Sequence, residues 1–338
     1  MRTFDKPAID IGEQIALLKA RGLQIQDEAR ARHFLEAVSF FRLTPYMRPF
    51  QLADDPQHSF RSDVGFRNLT RLYDFDRRLR LLVMDAVERV EVAARAVISN
   101  HMGPSRGVHW YLDARVFKRQ YNHERLLNTV RDKQERALRD YARECQNIDR
   151  LPDDERKAHL KRQRAYESYA RHYPLTYCEP ELMPGWAMVE ELTLGDLSHL
   201  YAGLAHDADR KAIARRLNLV APLLESWLHT LTTIRNICAH HARLWNRELG
   251  IRPKLPEKPR FVWPEHLKVG THKRMYPVLS ILNHMMRQTS PHTSWDQRLH
   301  ELLNEFHEID LLAMGFPRRW QDDPFWQAPQ CAAHLSTV

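Results

Sequence analysis

The sequence predicts an all-α protein. Glycine is scarce, 11 in 338 residues. Apolar residues recur at three- and four-residue steps over most of the chain, and two of these patterns are long enough to supply the central helices of a bundle. Asp10 is placed to cap a first short helix that ends at Gly22. Asp27 caps a second, with Ala31, Phe34, Leu35, Val38 and Phe41 on its buried side, which stops before Pro45. The aromatic stretch from Phe40 to Phe50 reads as a packed turn. A long helix is expected from about Phe66 to His101, closed by Gly103 and Pro104. Its stripe is Leu69, Leu72, Tyr73, Asp76, Leu79, Val83, Ala86, Val90, Ala93 and Val97, and at ~1.5 Å per residue it extends about 50 Å.

No glycine separates Gly107 from Gly185, and residues 113–172 carry 16 Lys/Arg against 11 Asp/Glu, most of the net charge of +8. Two charged helices are expected there, about 121–146 and 153–172, parted by Leu151-Pro152. Such a pair is either a solvated face or an RNA-contacting arm, with Tyr121, Tyr141, Tyr166 and Tyr169 available for stacking. Helices resume at about 186–192 and 195–205. Pro222, at a first helical position, opens a second long helix, about 222–248, ended by Gly250 and Pro253. A proline-rich connector (251–271), helices at about 273–288 and 294–307, and an irregular tail rich in Trp and Pro complete the chain. The organisation is a helical segment 1–62, a helical domain 63–250 with a basic insertion at about 108–180, and an extension 251–338.

Positive charge favours polyanionic partners, because each Lys or Arg placed on a phosphate releases counterions. The four cysteines, Cys145, Cys178, Cys238 and Cys331, form no C-x-x-C pair, which argues against a disulfide scaffold and a zinc ribbon. The N-terminus has no signal-peptide core, and no run approaches the roughly 18 apolar residues of a membrane span. A cytoplasmic protein with no membrane partner is expected. A Gly-rich phosphate loop, G-x-S-x-G and H-E-x-x-H are all missing from the sequence, so neither cofactor nor metal is expected.

Chemistry concentrates in Ile234-Arg235-Asn236-Ile237-Cys238-Ala239-His240-His241-Ala242-Arg243-Leu244-Trp245-Asn246-Arg247. His240 and His241 are the only adjacent histidine pair, and neighbours on a helix diverge by about 100°, so they rarely hold one metal. On a continuous helix Asn236, His240, Arg243 and Arg247 form a polar stripe. Ile234, Ile237, Cys238, His241, Leu244 and Trp245 share the apolar face, which makes His241 a packed residue. Arg235 and His240 are then rotated apart by about 140°, and meet only through arginine's length, a distorted helix or a second apposed helix. The bare spacing Arg-x4-His is expected about twice by chance at these residue frequencies and occurs twice, the second instance being Arg287 to His292 at a helix end.

The flanking residues are more specific. R-N-x-x-A-H-H followed by L-W-N-R resembles the abortive-infection AbiD/AbiF-like proteins of the HEPN ribonuclease superfamily. So do Phe34 to Phe50 with its F-x-R-L-x-x-Y-x-x-P-F pattern, the stretch Leu72 to Arg80, Glu88-Arg89-Val90-Glu91 to Arg95, and Pro184-Gly185-Trp186 to Gly195. The likeness covers about residues 10–250. It implies a HEPN-like bundle and metal-independent RNA cleavage by 2′-OH attack, leaving 2′,3′-cyclic phosphate ends. His240 is then the general acid or base, Arg235 steadies the phosphorane charge, and Asn236 orients either group. Arg243, Arg247, His241 and Arg95 are candidate substrate contacts, and Glu91 or Glu88 holds an arginine. The resemblance also implies a homodimer pairing two such motifs, an abortive-infection or toxin–antitoxin role, and a structured regulatory RNA, for which residues 113–172 are a candidate surface. The alternative is a non-catalytic RNA-binding scaffold on the same bundle.

Overall fold

A computed structural model describes residues 3, 7–257, 262–268 and 273–327. Cys331, part of the 251–271 connector and the end of the tail lie outside them. The described residues form fourteen α-helices and no β-strand, so the protein is all-α. Asp10 and Asp27 cap α1 (Ile11–Ala20) and α2 (Glu28–Ala37) as expected. Each carboxylate accepts the N–H three residues on, Glu13 at 2.8 Å and Arg30 at 2.9 Å.

The aromatic stretch is a helix and not a turn. Ser39 caps α3 (Phe40–Met47), and a single 3₁₀ turn carries the chain on to Phe50. Pro45, the sixth of eight residues, is accepted because the helix ends two residues on, so that only the Phe41 carbonyl loses its donor. Leu43, Tyr46 and Met47 face inward, whereas Phe41, expected inside, is 88% exposed.

The long helix α4 (Phe66–Arg106) is one turn longer than the sequence suggested. It runs through Gly103 and Pro104 and ends at Gly107, whose φ of +98° only glycine adopts freely. It is the axis of the molecule and packs against α3, α8 (Gly185–Glu191), α10 (Asp207–Arg215), α11 (Ala221–Ala239), α12 (Met275–Thr289) and α13 (Trp295–Glu305). Its inward stripe is the expected one through Val90; beyond that Ala94 and Ile98 take the buried positions in place of Ala93 and Val97. The helix α10 has no counterpart in the sequence reading; Asp209 on it pairs with His101 and Arg106 of α4.

The basic insertion folds as α5 (His123–Ile148), α6 (Asp154–Tyr166) and α7 (Tyr169–Thr176), the expected single helix 153–172 breaking where Ser168 turns extended. No residue of α6 is buried. Much of the insertion's charge is paired internally: Lys157 with Asp154, Lys161 with Asp149, and Arg171 with Glu144. Tyr121 packs under Gly203 and against Phe117, and Tyr141 lies beneath the Arg171 guanidinium, while Tyr166 and Tyr169 are exposed. The helix α9 (Leu194–Gly203), capped by Thr193, packs on α11. The tail is packed as far as Gln327: Trp295, Trp320, Phe325 and Trp326 are buried, and Arg78–Glu305 and Arg71–Glu308 tie the α13 end to α4. No helix of the described residues is long and apolar enough to cross a membrane.

Candidate active site

The helix α11 presents Arg235, Asn236 and His240. It buries Leu223, Leu224, Trp227, Leu228, Leu231, Ile234, Ile237 and Cys238, a 3.6-residue repeat that fixes its rotation. The opposite side leaves Asn236 exposed and Arg235 half-buried. The expected helix 222–248 does not form. It stops at Ala239, so the continuous stripe Asn236–His240–Arg243–Arg247 does not exist.

The stop is a Schellman motif. The N–H of His241 donates to the carbonyl of Cys238 at 2.9 Å and that of Ala242 to Ile237 at 3.0 Å, while His240, the C-cap, donates to Asn236 at 3.0 Å. The left-handed position of this motif usually holds glycine, because a Cβ there costs roughly 1–2 kcal/mol. Here it holds His241 at φ +54°. His241 is therefore exposed rather than packed on the apolar side. The left-handed turn comes after His240, so it does not change the angle between Arg235 and His240, and among the described residues Arg235 contacts Asn236 and not His240.

Tertiary contacts hold that end in place. Arg42 on α3 donates to the His241 carbonyl at 2.7 Å. After Ala242 the chain folds back onto Asp76, which is 0% exposed on α4. Its carboxylate accepts the backbone N–H groups of Leu244 (3.1 Å) and Trp245 (2.5 Å) and the Tyr46 hydroxyl (2.5 Å), and it pairs with Arg80. Burial pushes the Asp76 carboxyl above its ordinary pKa, against the pull of Arg80, the Tyr46 hydroxyl and the two amides. The same burial, reinforced by Asp76, pushes the neighbouring Cys238 thiol up to about 12. Leu244 and Trp245 are buried, and Arg274 grips Asn246 through its carbonyl and its Oδ1 (2.8 Å).

The outward side of this knot is cationic. Arg235 donates to Asn236 Oδ1 at 3.3 Å, so Asn236 touches Arg235 with its side chain and His240 with its carbonyl. Arg243 donates to the Pro45 carbonyl at 3.2 Å. Burial lowers its pKa; Asp76 opposes this, and nearby Arg247 and Arg48 add to it. Among the described residues no carboxylate pairs with Arg235, His240, Arg243, Arg247 or Arg48, Asp76 being committed to Arg80. Asn236, His240 and His241 are exposed, and none of these side chains lines the clefts of about 1010, 180 and 470 Å³. The site is an open shelf.

Arg95 has a different setting. It is buried between α4 and α8, donates to the carbonyls of Val189, Glu190 (3.0 Å) and Leu192 (2.7 Å), and pairs with Glu91. Glu91, not the exposed Glu88, is thus the acid that holds an arginine, and none of the Arg95 hydrogen bonds reaches residues 235–247. Arg42, Tyr46, Asp76 and Arg80 are supporting residues that the sequence reading did not single out as such. The available signal was Asp76 itself, the one carboxylate in an otherwise apolar stripe, with Arg80 one turn on.

A family model described as Abi-like protein matches residues 33–246, a span that begins in α2, includes Tyr46, Asp76 and Arg80, and closes at Asn246. No curated protein and no solved structure matches the chain. The chain belongs to the Abi-like protein family.

Proposed function

We propose that this protein is an endoribonuclease of the HEPN type serving abortive infection. The observation that carries the reading is the shelf at the end of α11, where Arg235, Asn236 and His240 reach solvent and no carboxylate among the described residues pairs with them. A phosphodiester is the complementary ligand. Membership of the Abi-like family supports the abortive-infection role.

In the proposed reaction the ribose 2′-oxygen forms a bond to the adjacent phosphorus and the bond from phosphorus to the 5′-oxygen breaks. One imidazole takes the 2′ proton, and a proton must be returned to the leaving 5′-oxygen. Arg235 lies against the phosphoryl oxygens, where a guanidinium binds two of them at once and offsets the charge that builds in the phosphorane. Asn236 fixes Arg235 from one side and the His240 backbone from the other. The nucleophile comes from the substrate, so the step does not call on a metal-bound water. A homodimer with the α11 ends apposed brings a second Arg235–His240 set into the cleft and supplies both proton-transfer groups. Arg243, Arg247 and His241 extend the cation field along the RNA.

The test is cleavage of end-labelled RNA by the purified full chain with EDTA present. Wild type is expected to leave 2′,3′-cyclic phosphate and 5′-OH ends and to spare DNA of the same sequence. Arg235→Ala and His240→Ala are each expected to lose roughly 10²–10⁴-fold in rate with the helical circular-dichroism spectrum intact. Tight RNA binding by the wild type with no cleavage sinks the nuclease and leaves a binding platform.

A further inference from the structure

One aromatic side chain beside the shelf has no packing role. Phe41 is 88% exposed, the most exposed of the large apolar residues, although the next residue, Arg42, is locked to the His241 carbonyl. Among the described residues no ring packs on it. Seven residues on, Arg48, the C-cap that follows α3, continues the same face, about 10 Å further along the axis. Arg48 is exposed and unpaired among the described residues. Between them the Pro45 carbonyl takes Arg243, which pins this face of α3 to the segment that follows His241. A free aromatic ring next to several arginines without acids is the arrangement that binds single strands: the ring stacks on a base and the cations follow the backbone. A duplex keeps its bases stacked inside and offers the ring nothing. In-line attack by a 2′-hydroxyl also requires the backbone to leave A-form geometry, which an unpaired nucleotide does readily.

We propose that α3 is the base-binding wall of the active site. Phe41 stacks on an unpaired nucleobase next to the scissile phosphodiester, Arg48 with Arg243 and Arg247 holds the adjoining phosphates, and the substrate class is single-stranded RNA. This rests on the ribonuclease reading for the identity of the site but is tested by binding alone. The probes are single-stranded 2′-O-methyl oligonucleotides, which cannot be cleaved by 2′-OH attack, the same sequence as a blunt duplex, and inorganic phosphate.

Full-length Phe41→Trp is expected to show emission quenching with the single strand and none with duplex or phosphate. Phe41→Ala is expected to weaken single-strand binding roughly tenfold, Phe41→Tyr to retain it. Arg48→Gln is expected to lower the slope of log K against log salt by about 0.7, the value of one lost single-strand phosphate contact. The exposure of Phe41 makes these variants safe for folding, which circular dichroism checks. Equal affinity of wild type and Phe41→Ala for the single strand overturns the proposal. So does a Phe41→Ala defect that appears only with a fall in oligomeric mass, since the ring is then a contact between copies of the chain. Stacking without cleavage by the wild type defeats only the nuclease reading; cleavage that ignores Phe41 defeats only this one.

Discussion

At the residue scale, His241 occupies a position that glycine fills at lower cost. An L-residue in the left-handed region loses roughly 1–2 kcal/mol, and histidine, enriched there with Asn and Asp, sits toward the low end of that cost. A backbone held in such a region clusters at functional sites, and here it turns an imidazole outward beside His240 while Arg42 clamps its carbonyl. Replacing it with glycine removes the strain, although glycine also raises the entropy of the unfolded chain. His241→Gly is therefore expected to stabilise the protein by about 0.5–1 kcal/mol and to weaken RNA binding. Thermal melts together with RNA titration check this; a variant that melts lower, or binds RNA as wild type does, removes the case for strain kept for function. Sequence reasoning proposed Arg235, Asn236 and His240 for the chemistry and assigned His241 to the packed face, whereas His241 is exposed. That reasoning extrapolated a helix past Ala239 because no glycine or proline intervenes before Gly250. What ends the helix is tertiary, the pull of Asp76 on the amides of Leu244 and Trp245, and a local pattern contains no trace of it.

At the scale of elements, most helices were legible at both ends to about two residues, but the ends of α4 and α11 and the existence of α3 and α10 were not. Asp10 and Asp27 announce their helices because a capping carboxylate acts over three residues, whereas the end of α4 and the existence of α3 depend on what packs against them. Arg95 shows how one side chain can join elements. Its guanidinium meets three carbonyls at the end of α8, where the helix dipole is negative, and Glu91 neutralises it from within α4. Arg95→Ala leaves those carbonyls and Glu91 without their donor, and is expected to destabilise by about 3 kcal/mol while the salt slope of RNA binding stays unchanged. A changed slope with wild-type stability returns Arg95 to the substrate. Across the α11–α12 contact, His284 sits 5.5 Å from the Trp227 ring, and burial, aided by Arg287, depresses its pKa to about 4. The unfolded chain, with an ordinary value near 6.5, binds more protons between those limits. Stability is thus full above about pH 6.5 and is lost as pH falls toward 4. Melts from pH 7 to pH 5 are expected to fall more steeply for wild type than for His284→Gln, and equal slopes exclude this histidine as the cause.

At the scale of the whole molecule, the all-α class and the central helix were readable, because each rests on periodicity. The supporting knot was not, since it gathers α3, α4 and the residues after α11 from positions separated by up to 199 residues. The proposed dimer adds an argument that no single chain can meet. Transesterification needs a proton acceptor and a proton donor at opposite oxygens, and the shelf of one protomer turns one Arg235–His240 set outward with no enclosing cleft. If the second set comes from another copy, cleavage per protomer is not constant on dilution. Below the dissociation constant the dimer concentration falls with the square of total protein, and the specific rate falls in proportion. An excess of Arg235→Ala chain is expected to suppress the wild type by forming mixed dimers in which each cleft is half furnished. Initial rates over a hundredfold dilution, with sedimentation at the same concentrations, measure both effects. A specific rate that stays level while the sedimenting mass drops to 40.0 kDa shows that one protomer holds the whole site, and His241 then becomes the second imidazole to test.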